Sequence, residues 1–434
     1  MPPHISLLRR TPNADELEFQ TRKTSLHSEL VESLDLAAIG RVNEEWMRRE
    51  VQELADQLLR QRKWQLAPAL RSRMLDELNS EVFGLGPIDA LMSDAEVSDI
   101  LVNNAHEVYV ERHGRLELTD VIFADDEHLL RIIQRVVGRV GRRIDEVNPM
   151  VDARLADGSR VHAVVPPLAL RGPKLSIRRF GVGYLQVANL LANGSLSAPM
   201  AEFLQAAVAA RVSFLVAGGT GAGKTTLLNA LSGAIPADER IVTIEDSAEL
   251  LLQHAHVVSM ETRQANSEGR GAVTTRDLVR NSLRMRPDRI LVGEVRGPEA
   301  LDMLQVMNTG HEGSLSTIHA NDTRDALARL EMMVAMSGFE LPIPVVREYI
   351  ASGIKLVVHV ARLKGGVRRV MRVTEIQSAQ RGEFQLQDVF EFQQQGLNDQ
   401  GCAKGTFRAT GYHPQCLTRF ADAGIQVSDN LFEN

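Results

Sequence analysis

The spacing of apolar residues divides the chain into segments with different predicted secondary structure. In the first 80 residues the apolar side chains recur at helical spacing. One stripe comprises Met47, Val51, Leu54 and Leu58, a second comprises Leu70, Met74 and Leu78, and Pro68 separates them. The pattern predicts a helical bundle or hairpin from Leu36 to Leu78, preceded by a polar tail that reaches about Asp35, so residues 1–80 are predicted to be a tail and a helical bundle. Such a segment acts either as a docking module or as a plain packing appendage, and both alternatives stay open.

Short runs rich in β-branched residues replace the helical pattern after a turn-rich joint at residues 83–87. Predicted strands lie at 99–102, 107–110, 116–123, 151–155, 160–165 and 174–179, and a helix lies at 125–138. Asp157 and Gly158 form a hairpin turn between two of these strands. The pattern therefore predicts an α+β domain over residues 81–182.

Helices and strands alternate beyond residue 183, which is typical of an α/β domain with a mostly parallel sheet. The β-branched runs lie at 240–244, 256–259 and 289–292. Residues 357–362 and 368–376, joined at Gly365 and Gly366, predict an antiparallel hairpin that residues 384–392 continue. This α/β domain is predicted over residues 183–395, and the polar residues 396–434 are predicted to be a C-terminal tail with no assigned fold.

Composition and charge exclude several classes of protein. The 434 residues suffice for about two or three domains, and 44% hydrophobic with 24% charged residues is ordinary for folded proteins. A net charge of −7 gives no simple reason for binding to nucleic acid, so no direct nucleic-acid partner is expected. Cys402 and Cys416 are too few for a disulfide framework or a zinc site. The first thirty residues contain no signal-peptide core, so a cytoplasmic protein is expected.

The most informative motif is a glycine-rich loop between an apolar strand, residues 214–217, and an apolar helix. It matches G-x-x-x-x-G-K-[ST], the loop whose backbone N–H groups surround nucleotide phosphates. Lys224 supplies a charge to the β- and γ-phosphates, and Thr225 is the predicted Mg²⁺ ligand. The predicted cofactors are ATP and Mg²⁺, and the predicted nucleotide-binding residues are Gly218, Gly219, Thr220, Gly221, Ala222, Gly223, Lys224, Thr225 and Thr226. The alternative is a chance glycine-rich turn.

Two carboxylates end apolar strands in the same domain. Glu245 and Glu294 each follow such a run, at the sheet edge where nucleotides bind in open parallel sheets. They are candidates to orient Mg²⁺ and the attacking water, and the alternative for each is a solvated acid at a strand end. His311 and His319 are either γ-phosphate sensors or hydrogen-bonded structural residues.

These motifs together resemble the type II and type IV secretion ATPase superfamily, and the likeness is close to the CpaF-type ATPases of tight-adherence (Flp) pili. Residues 218–225 resemble that family's Walker A motif, 243–249 its Asp box, 290–296 its Walker B motif and 310–321 its His box. Further similar segments are 83–87 with 96–99, 151–161, 166–169, 175–180 and 278–287. The resemblance covers most of the chain, and it implies a RecA-like P-loop NTPase core after an α+β (PAS-like) domain.

The resemblance also implies roles for individual residues. Glu245 becomes the base for water, Glu294 the Walker B carboxylate and a metal ligand, and His319 a nucleotide sensor. Arginines from the domain before the P-loop reach the γ-phosphate in this family, which implies Arg154, Arg160, Arg178 and Arg179 here. Guanidinium groups suit that charge, although any one of them is alternatively part of a salt bridge. The chain lacks the four-cysteine zinc site of type II extension ATPases, and its Walker B motif lacks the usual preceding Asp.

The function implied is that of a homohexameric ATPase at the cytoplasmic face of the inner membrane, where platform proteins of a pilus or secretion system are its partners. A conjugation-type traffic ATPase is the alternative within the class. A nucleotide-dependent regulatory switch is the alternative outside it. A GTPase is disfavoured because no Asn-Lys-x-Asp motif follows the P-loop, and a RecA-type recombinase would need stimulation by DNA.

Overall fold

The computed structural model describes residues 14–33, 44–62, 64, 66–112, 114–180, 185–263, 265, 270–380 and 383–433. The chain divides into two units, residues 1–182 and 183–434, each with hydrophobic cores of its own. The division into four domains stays a prediction. Over the residues described, no helix is both long and apolar enough to cross a membrane.

Three helices open the first unit: α1 (Ala14–Ser33), α2 (Glu44–Gln61) and α3 (Pro68–Phe83). The helical prediction for this region is confirmed, but the tail predicted up to Asp35 is wrong where α1 lies. Phe19, Leu26 and Leu30 are buried against the other two helices. Their spacings of seven and four residues place them on one helical face, which the surrounding charged residues conceal in the sequence. The rest of the predicted tail falls outside the described residues.

The α+β part of the first unit is an antiparallel sheet covered by one long helix. A 3-10 turn (Gly86–Ile88) and α4 (Asp89–Ser93) lead into it. The strands are β1 (Val97–Asn104), β2 (Glu107–Arg112), β3 (Arg115–Leu118), β4 (Met150–Arg154), β5 (Arg160–Val164) and β6 (Lys174–Arg178), in the order β3-β2-β1-β6-β5-β4. Helix α5 (Asp126–Gly138) buries Leu129, Ile133 and Val136 in the core of this domain. Asp125 caps it by accepting from the N–H of His128 at 2.7 Å.

The second unit contains a nine-stranded sheet with helices on its faces. Its first elements are α6 (Val187–Ala192), α7 (Ala198–Ala209), β7 (Phe214–Gly218), α8 (Lys224–Ser232), β8 (Ile241–Glu245), β9 (Val257–Glu261), α9 (Thr275–Ser282), β10 (Arg289–Val295), α10 (Glu299–Asn308) and β11 (Leu315–His319). They are followed by α11 (Thr323–Ala335), α12 (Ile343–Gly353), β12 (Leu356–Arg362), β13 (Arg368–Gln380), β14 (Glu383–Leu397), β15 (Ala403–Ala409) and α13 (Leu417–Asp422). The chain is therefore a mixed α/β protein with an N-terminal helical segment, as the sequence pattern predicts.

Strand order explains where the nucleotide motifs meet. The order is β15-β14-β13-β12-β7-β11-β10-β8-β9, with parallel pairing from β9 to β12 and antiparallel pairing from β12 to β15. The predicted hairpin is thus confirmed as β12 and β13, and β14 continues it. Strand β7 is central and wholly buried: Phe214 and Val216 face one core, whereas Leu215 and Ala217 face the other.

The C-terminal segment is folded, in contrast to the tail predicted for residues 396–434. Strand β15 pairs with β14, and Phe420 and Phe432 pack beside Phe203, with ring centroids 5.6 and 5.9 Å away. The buried carboxylate of Glu375 accepts from the backbone N–H of Cys416 at 2.9 Å. These partners lie far away in the sequence, so the segment shows no local periodicity of its own.

Candidate functional site

The glycine-rich loop leaves the buried end of β7 and turns directly into α8. A Cβ atom on Gly218 would stand 2.4 Å from the carbonyl oxygen of Val360, so only glycine fits there. Gly221 and Gly223 adopt φ angles of +68° and +98°, which other residues rarely adopt. The loop thereby leads into the first turn of α8, whose N–H groups have no partner within the helix. The strand–loop–helix context predicted for the motif is present.

Lys224, the first residue of α8, folds back over the loop. Its Nζ donates to the carbonyl oxygens of Gly218 and Gly219 at 3.1 and 3.3 Å. Burial lowers the pKa of Lys224, while the nearby carboxylates of Glu294 and Glu249 oppose that shift. The ammonium group thus stands among loop carbonyls and carboxylates, in a position to exchange these partners for phosphate oxygens.

Glu245 ends β8 and is almost completely buried, at 4% exposure. Its Oε1 accepts from the backbone N–H groups of Glu249 and Leu250, at 2.8 and 2.9 Å. A Cβ on Gly293 of the adjacent strand would stand 2.7 Å from Cγ of Glu245, so the glycine leaves room for this side chain. Its carboxylate is therefore held by the turn after β8. Its role as a base stays a prediction.

Glu294 lies near the end of β10 and is bound by an arginine two residues further on. Oε2 of Glu294 accepts from Nε of Arg296 at 3.0 Å, and Arg296 also lies 3.7 Å from Asp246. The structure therefore brings Glu294 to the same sheet edge as Lys224, already paired with a cation. Its metal-binding role stays a prediction.

Glu249 is a residue that sequence reasoning did not single out. The Oγ1 of Thr225 donates to its Oε2 at 3.5 Å, and the side-chain amide of Asn229 donates to its backbone oxygen at 3.4 Å. The segment after β8 is thereby joined to α8. The available signal was its place within residues 243–249, but nothing in the spacing favours Glu249 over its neighbours.

The two candidate histidines lie at opposite ends of strand β11. His319 ends β11 directly beside Gly218 in the strand register, and the N–H of Ala320 donates to the oxygen of Gly218 at 3.4 Å. His311 precedes β11, at the edge away from the P-loop, and its carbonyl accepts from Ser314 at 2.7 Å. Position alone is thus compatible with a sensor role for His319. For His311 both alternatives stay predictions.

The turn end of the hairpin formed by β12 and β13 lies against the P-loop, which the sequence did not indicate. Nε of Arg368 donates to the carbonyl oxygen of Gly221 at 2.9 Å. A cavity of about 200 Å³ lies between this hairpin, the segment around α6 and the start of α8. Its lining residues include Leu190, Ser195, Ala222, Thr226, Val360 and Val367. A largely apolar cavity beside the phosphate loop has the chemistry to receive a nucleoside base.

Comparison with known proteins identifies the family. The model of the family described as type II/IV secretion system protein matches residues 81–413. The chain belongs to this family of secretion ATPases. A candidate conjugal transfer protein of Mycobacterium tuberculosis is 40% identical over 332 residues, which cover 75% of this chain and 93% of that protein. The type IV secretion system protein VirB11 of Brucella suis is 34% identical over 306 residues, or 64% of this chain and 84% of that protein.

A solved structure also matches. The VirB11 ATPase from the Brucella suis type IV secretion system, in complex with sulphate, shares 30% identity with this chain. The match covers 68% of this chain and 97% of that chain, with a TM-score of 0.37. The family assignment rests on the sequence matches.

The four arginines implied by the family resemblance all lie in the first unit. Arg154, Arg160 and Arg178 are consecutive cross-strand partners on β4, β5 and β6. Arg178 donates to Asp99 at 3.0 Å, and Arg154 donates to the oxygen of Gly158 at 3.3 Å. Arg179 donates to the carbonyl oxygen of Val97 at 2.8 Å, so its guanidinium is bound within its own domain.

The oxygen ligands of the P-loop region suit a hard cation such as Mg²⁺. Among the residues that the structure describes, no group of three His, Cys, Asp or Glu side chains could hold a metal by itself. Mg²⁺ usually keeps several waters and binds through one or two protein oxygens together with substrate phosphates. Thr225 with Glu249 close by, and Glu294 across the site, fit this requirement.

Proposed function

We propose that this secretion ATPase hydrolyses ATP and works as a homohexameric motor at the cytoplasmic face of the inner membrane. The observation that carries the proposal is the P-loop, whose Lys224 lies near the carboxylates of Glu249 and Glu294, while the turn after β8 that contains Glu249 also holds Glu245. A phosphate cradle supplies binding, and carboxylates beside it can orient and deprotonate water.

Each residue contributes one part of the reaction. Lys224 and the loop N–H groups hold the β- and γ-phosphates. Thr225 and, through water, Glu294 would hold Mg²⁺, which neutralises phosphate charge when bound. Glu245 orients the attacking water and accepts its proton as the new bond to the γ-phosphorus forms. The bond to the bridging oxygen breaks, and its electron pair leaves with ADP.

Arginines of the first unit are proposed to complete the site. The row formed by Arg154, Arg160 and Arg178 supports this, because it places three guanidinium groups side by side on neighbouring strands. Guanidinium groups suit the charge that develops on a transferring phosphoryl group. Arg179 belongs to the same proposal. A ring in which one subunit serves the P-loop of its neighbour would need these groups.

The cargo is proposed to be a tight-adherence (type IV-like) pilus, with inner-membrane platform proteins as partners. The segments that resemble CpaF-type ATPases, on both sides of residue 183, support this assignment. The second candidate is a conjugation-type traffic ATPase, which the relatives named for conjugal transfer and type IV secretion favour. Direct contact with nucleic acid is not part of either proposal, given the net charge of −7.

ATP hydrolysis over a wide range of protein concentration tests the motor. Turnover per chain should rise as rings assemble, and Lys224→Ala or Glu294→Gln should abolish it. Lys404→Ala on edge strand β15 and Glu383→Gln at the start of β14 are the matched controls, expected to keep activity because both side chains are exposed and lie outside the motif segments. Nucleotide binding without turnover in assembled rings would instead favour the regulatory switch.

A mixing experiment tests whether the site is shared between subunits. Lys224→Ala chains keep their arginines, and chains with Arg154, Arg160, Arg178 or Arg179 changed singly to Ala keep their P-loops. Neither inactive parent should turn over alone, whereas the mixture should regain part of the activity. Failure of every pair to complement would exclude arginines acting in trans.

A cellular experiment separates the two cargo proposals. A host strain that carries Lys224→Ala at the chromosomal locus should lose surface pili in electron micrographs. It should transfer DNA in mating assays as the parent strain does. Loss of transfer with normal piliation would support the conjugation-type alternative instead.

A further inference from the structure

Two arginines next to the turn of the β12–β13 hairpin flank the tip of the P-loop. Arg362 ends β12, Arg368 begins β13, and the two are cross-strand partners. Nε of Arg368 donates to the carbonyl oxygen of Gly221 at 2.9 Å, and its Cδ lies 3.4 Å from where a Cβ on Gly223 would stand. Nη1 of Arg362 lies 3.4 Å from the corresponding point on Gly221. The hairpin therefore contacts the P-loop at Gly221 and Gly223, the two loop glycines with positive φ.

The hydrogen bond acts on a peptide group of the phosphate cradle. The carbonyl of Gly221 shares its peptide with the N–H of Ala222, within the loop whose N–H groups surround phosphate. A cation that binds the carbonyl polarises this peptide, because successive hydrogen bonds strengthen one another. The N–H thereby becomes a better donor to an anion. The same bond also stabilises the φ of +68° at Gly221.

Across the part of the chain that the structure describes, no Asp or Glu forms an ion pair with Arg368. Arg372, four residues further along the same strand, differs because it pairs with Asp388. Arg368 thus adds a positive charge beside a loop built to receive phosphates.

We propose that Arg368 is a positioning residue for the nucleotide phosphates, which shapes and polarises the P-loop through the carbonyl of Gly221. The inference rests on the proposed nucleotide-binding function. It assigns to the C-terminal hairpin a part in phosphate binding that the P-loop motif alone does not contain. It also means that phosphate binding and the position of the hairpin depend on each other.

The test compares Arg368→Gln and Arg368→Lys with Arg372→Gln in the full-length protein. Binding of ADP and of inorganic pyrophosphate is measured by displacement of a fluorescent ADP derivative. Pyrophosphate occupies the phosphate cradle and has no base or ribose. Arg368→Gln should weaken both ligands by the same factor, roughly three- to thirty-fold. Arg368→Lys should recover part of the loss, and Arg372→Gln should bind like the wild type.

Two outcomes would decide against the proposal. A loss for ADP without a loss for pyrophosphate would mean that Arg368 acts on the base or ribose. Unchanged binding of both ligands would mean that it does not position the loop. If Arg368→Gln fails to fold, Arg368→Lys decides in its place: weaker binding of both ligands supports the proposal, and unchanged binding refutes it. If the wild type binds neither ligand, the proposed nucleotide-binding function itself has failed.

Discussion

A buried ion pair at the start of β10 gives the sharpest stability prediction for the second unit. The side chain of Arg289 is fully buried, with 0% exposure. Its guanidinium donates to both carboxylate oxygens of Glu239 and to the carbonyl oxygen of Val208, the last at 2.6 Å. Burial raises the pKa of Glu239, but the hydrogen bonds and charges of Arg289 and Arg211 outweigh burial and lower it.

Glu239→Gln keeps the size of the side chain and removes its charge. Arg289 would then be a buried cation whose remaining partners, the carbonyl oxygens of Val208 and Gly313 and the new amide, are neutral. Breaking a buried pair in this way costs about 3–5 kcal/mol, out of roughly 5–15 kcal/mol of total stability for a typical domain. We therefore expect the free energy of unfolding of the second unit to fall by about 3–5 kcal/mol.

The two tryptophans make the assay specific. Both lie in the first unit, at positions 46 and 64, so tryptophan fluorescence does not report on the second unit. Urea unfolding followed by circular dichroism should show one transition shifted to lower urea, while the fluorescence transition stays in place. Glu312→Gln is the control, because Glu312 pairs with Arg419 at 3.0 Å but is 53% exposed. Its cost should stay below about 1 kcal/mol.

Two results would refute the reasoning. One is a Glu239→Gln midpoint no lower than that of Glu312→Gln, which would mean that water or a neutral acceptor compensates Arg289. The other concerns the double variant Arg289→Met with Glu239→Gln. It removes the uncompensated cation and should be more stable than Glu239→Gln alone. A double variant that is less stable would show that packing, and not charge, is what the pair supplies.

Two further predictions concern the P-loop and the first unit. Gly218→Ala should destabilise the second unit by roughly 1–3 kcal/mol and weaken ADP binding, because the new Cβ would stand 2.4 Å from the carbonyl oxygen of Val360. Thermal melting measures the loss of stability, and titration with ADP measures the loss of binding. Wild-type values in both measurements would contradict the prediction. Burial raises the pKa of Glu81, but the hydrogen bonds and charges of His128 and Lys23 outweigh burial and lower it from 4.5 to about 2. A carboxyl group whose pKa is lower in the folded than in the unfolded protein stabilises the folded state at pH values above its unfolded pKa. About 3 kcal/mol of the free energy of unfolding should therefore be lost as the pH falls from about 4.5 towards 2. Acid unfolding followed by tryptophan fluorescence measures this loss. In Glu81→Gln, the stability of the first unit should depend much less on pH over this range.

The parts of the fold that the sequence predicts well are those that local patterns encode. The order of strand, glycine-rich loop and helix around Lys224 follows from an apolar run and a motif with fixed spacing. The hairpin of β12 and β13 follows from two β-branched runs joined by Gly365 and Gly366. Helix α1 was missed because charged residues separate the apolar face formed by Phe19, Leu26 and Leu30.

The candidate site likewise has a part that the sequence predicts and a part that only the tertiary structure shows. The sequence alone determined the phosphate loop and the carboxylates at strand ends, because these residues are neighbours in the chain or occupy a repeated position in an alternating fold. Only the tertiary structure showed that Glu249 reaches Thr225, that His319 rather than His311 stands beside Gly218, and that residues 403–409 add strand β15 to the sheet. Arg368 and Gly221 are separated by 147 residues, and their hydrogen bond exists only because β12 pairs with β7. Contacts of this kind depend on the order of strands in the sheet, which no local pattern of side chains specifies.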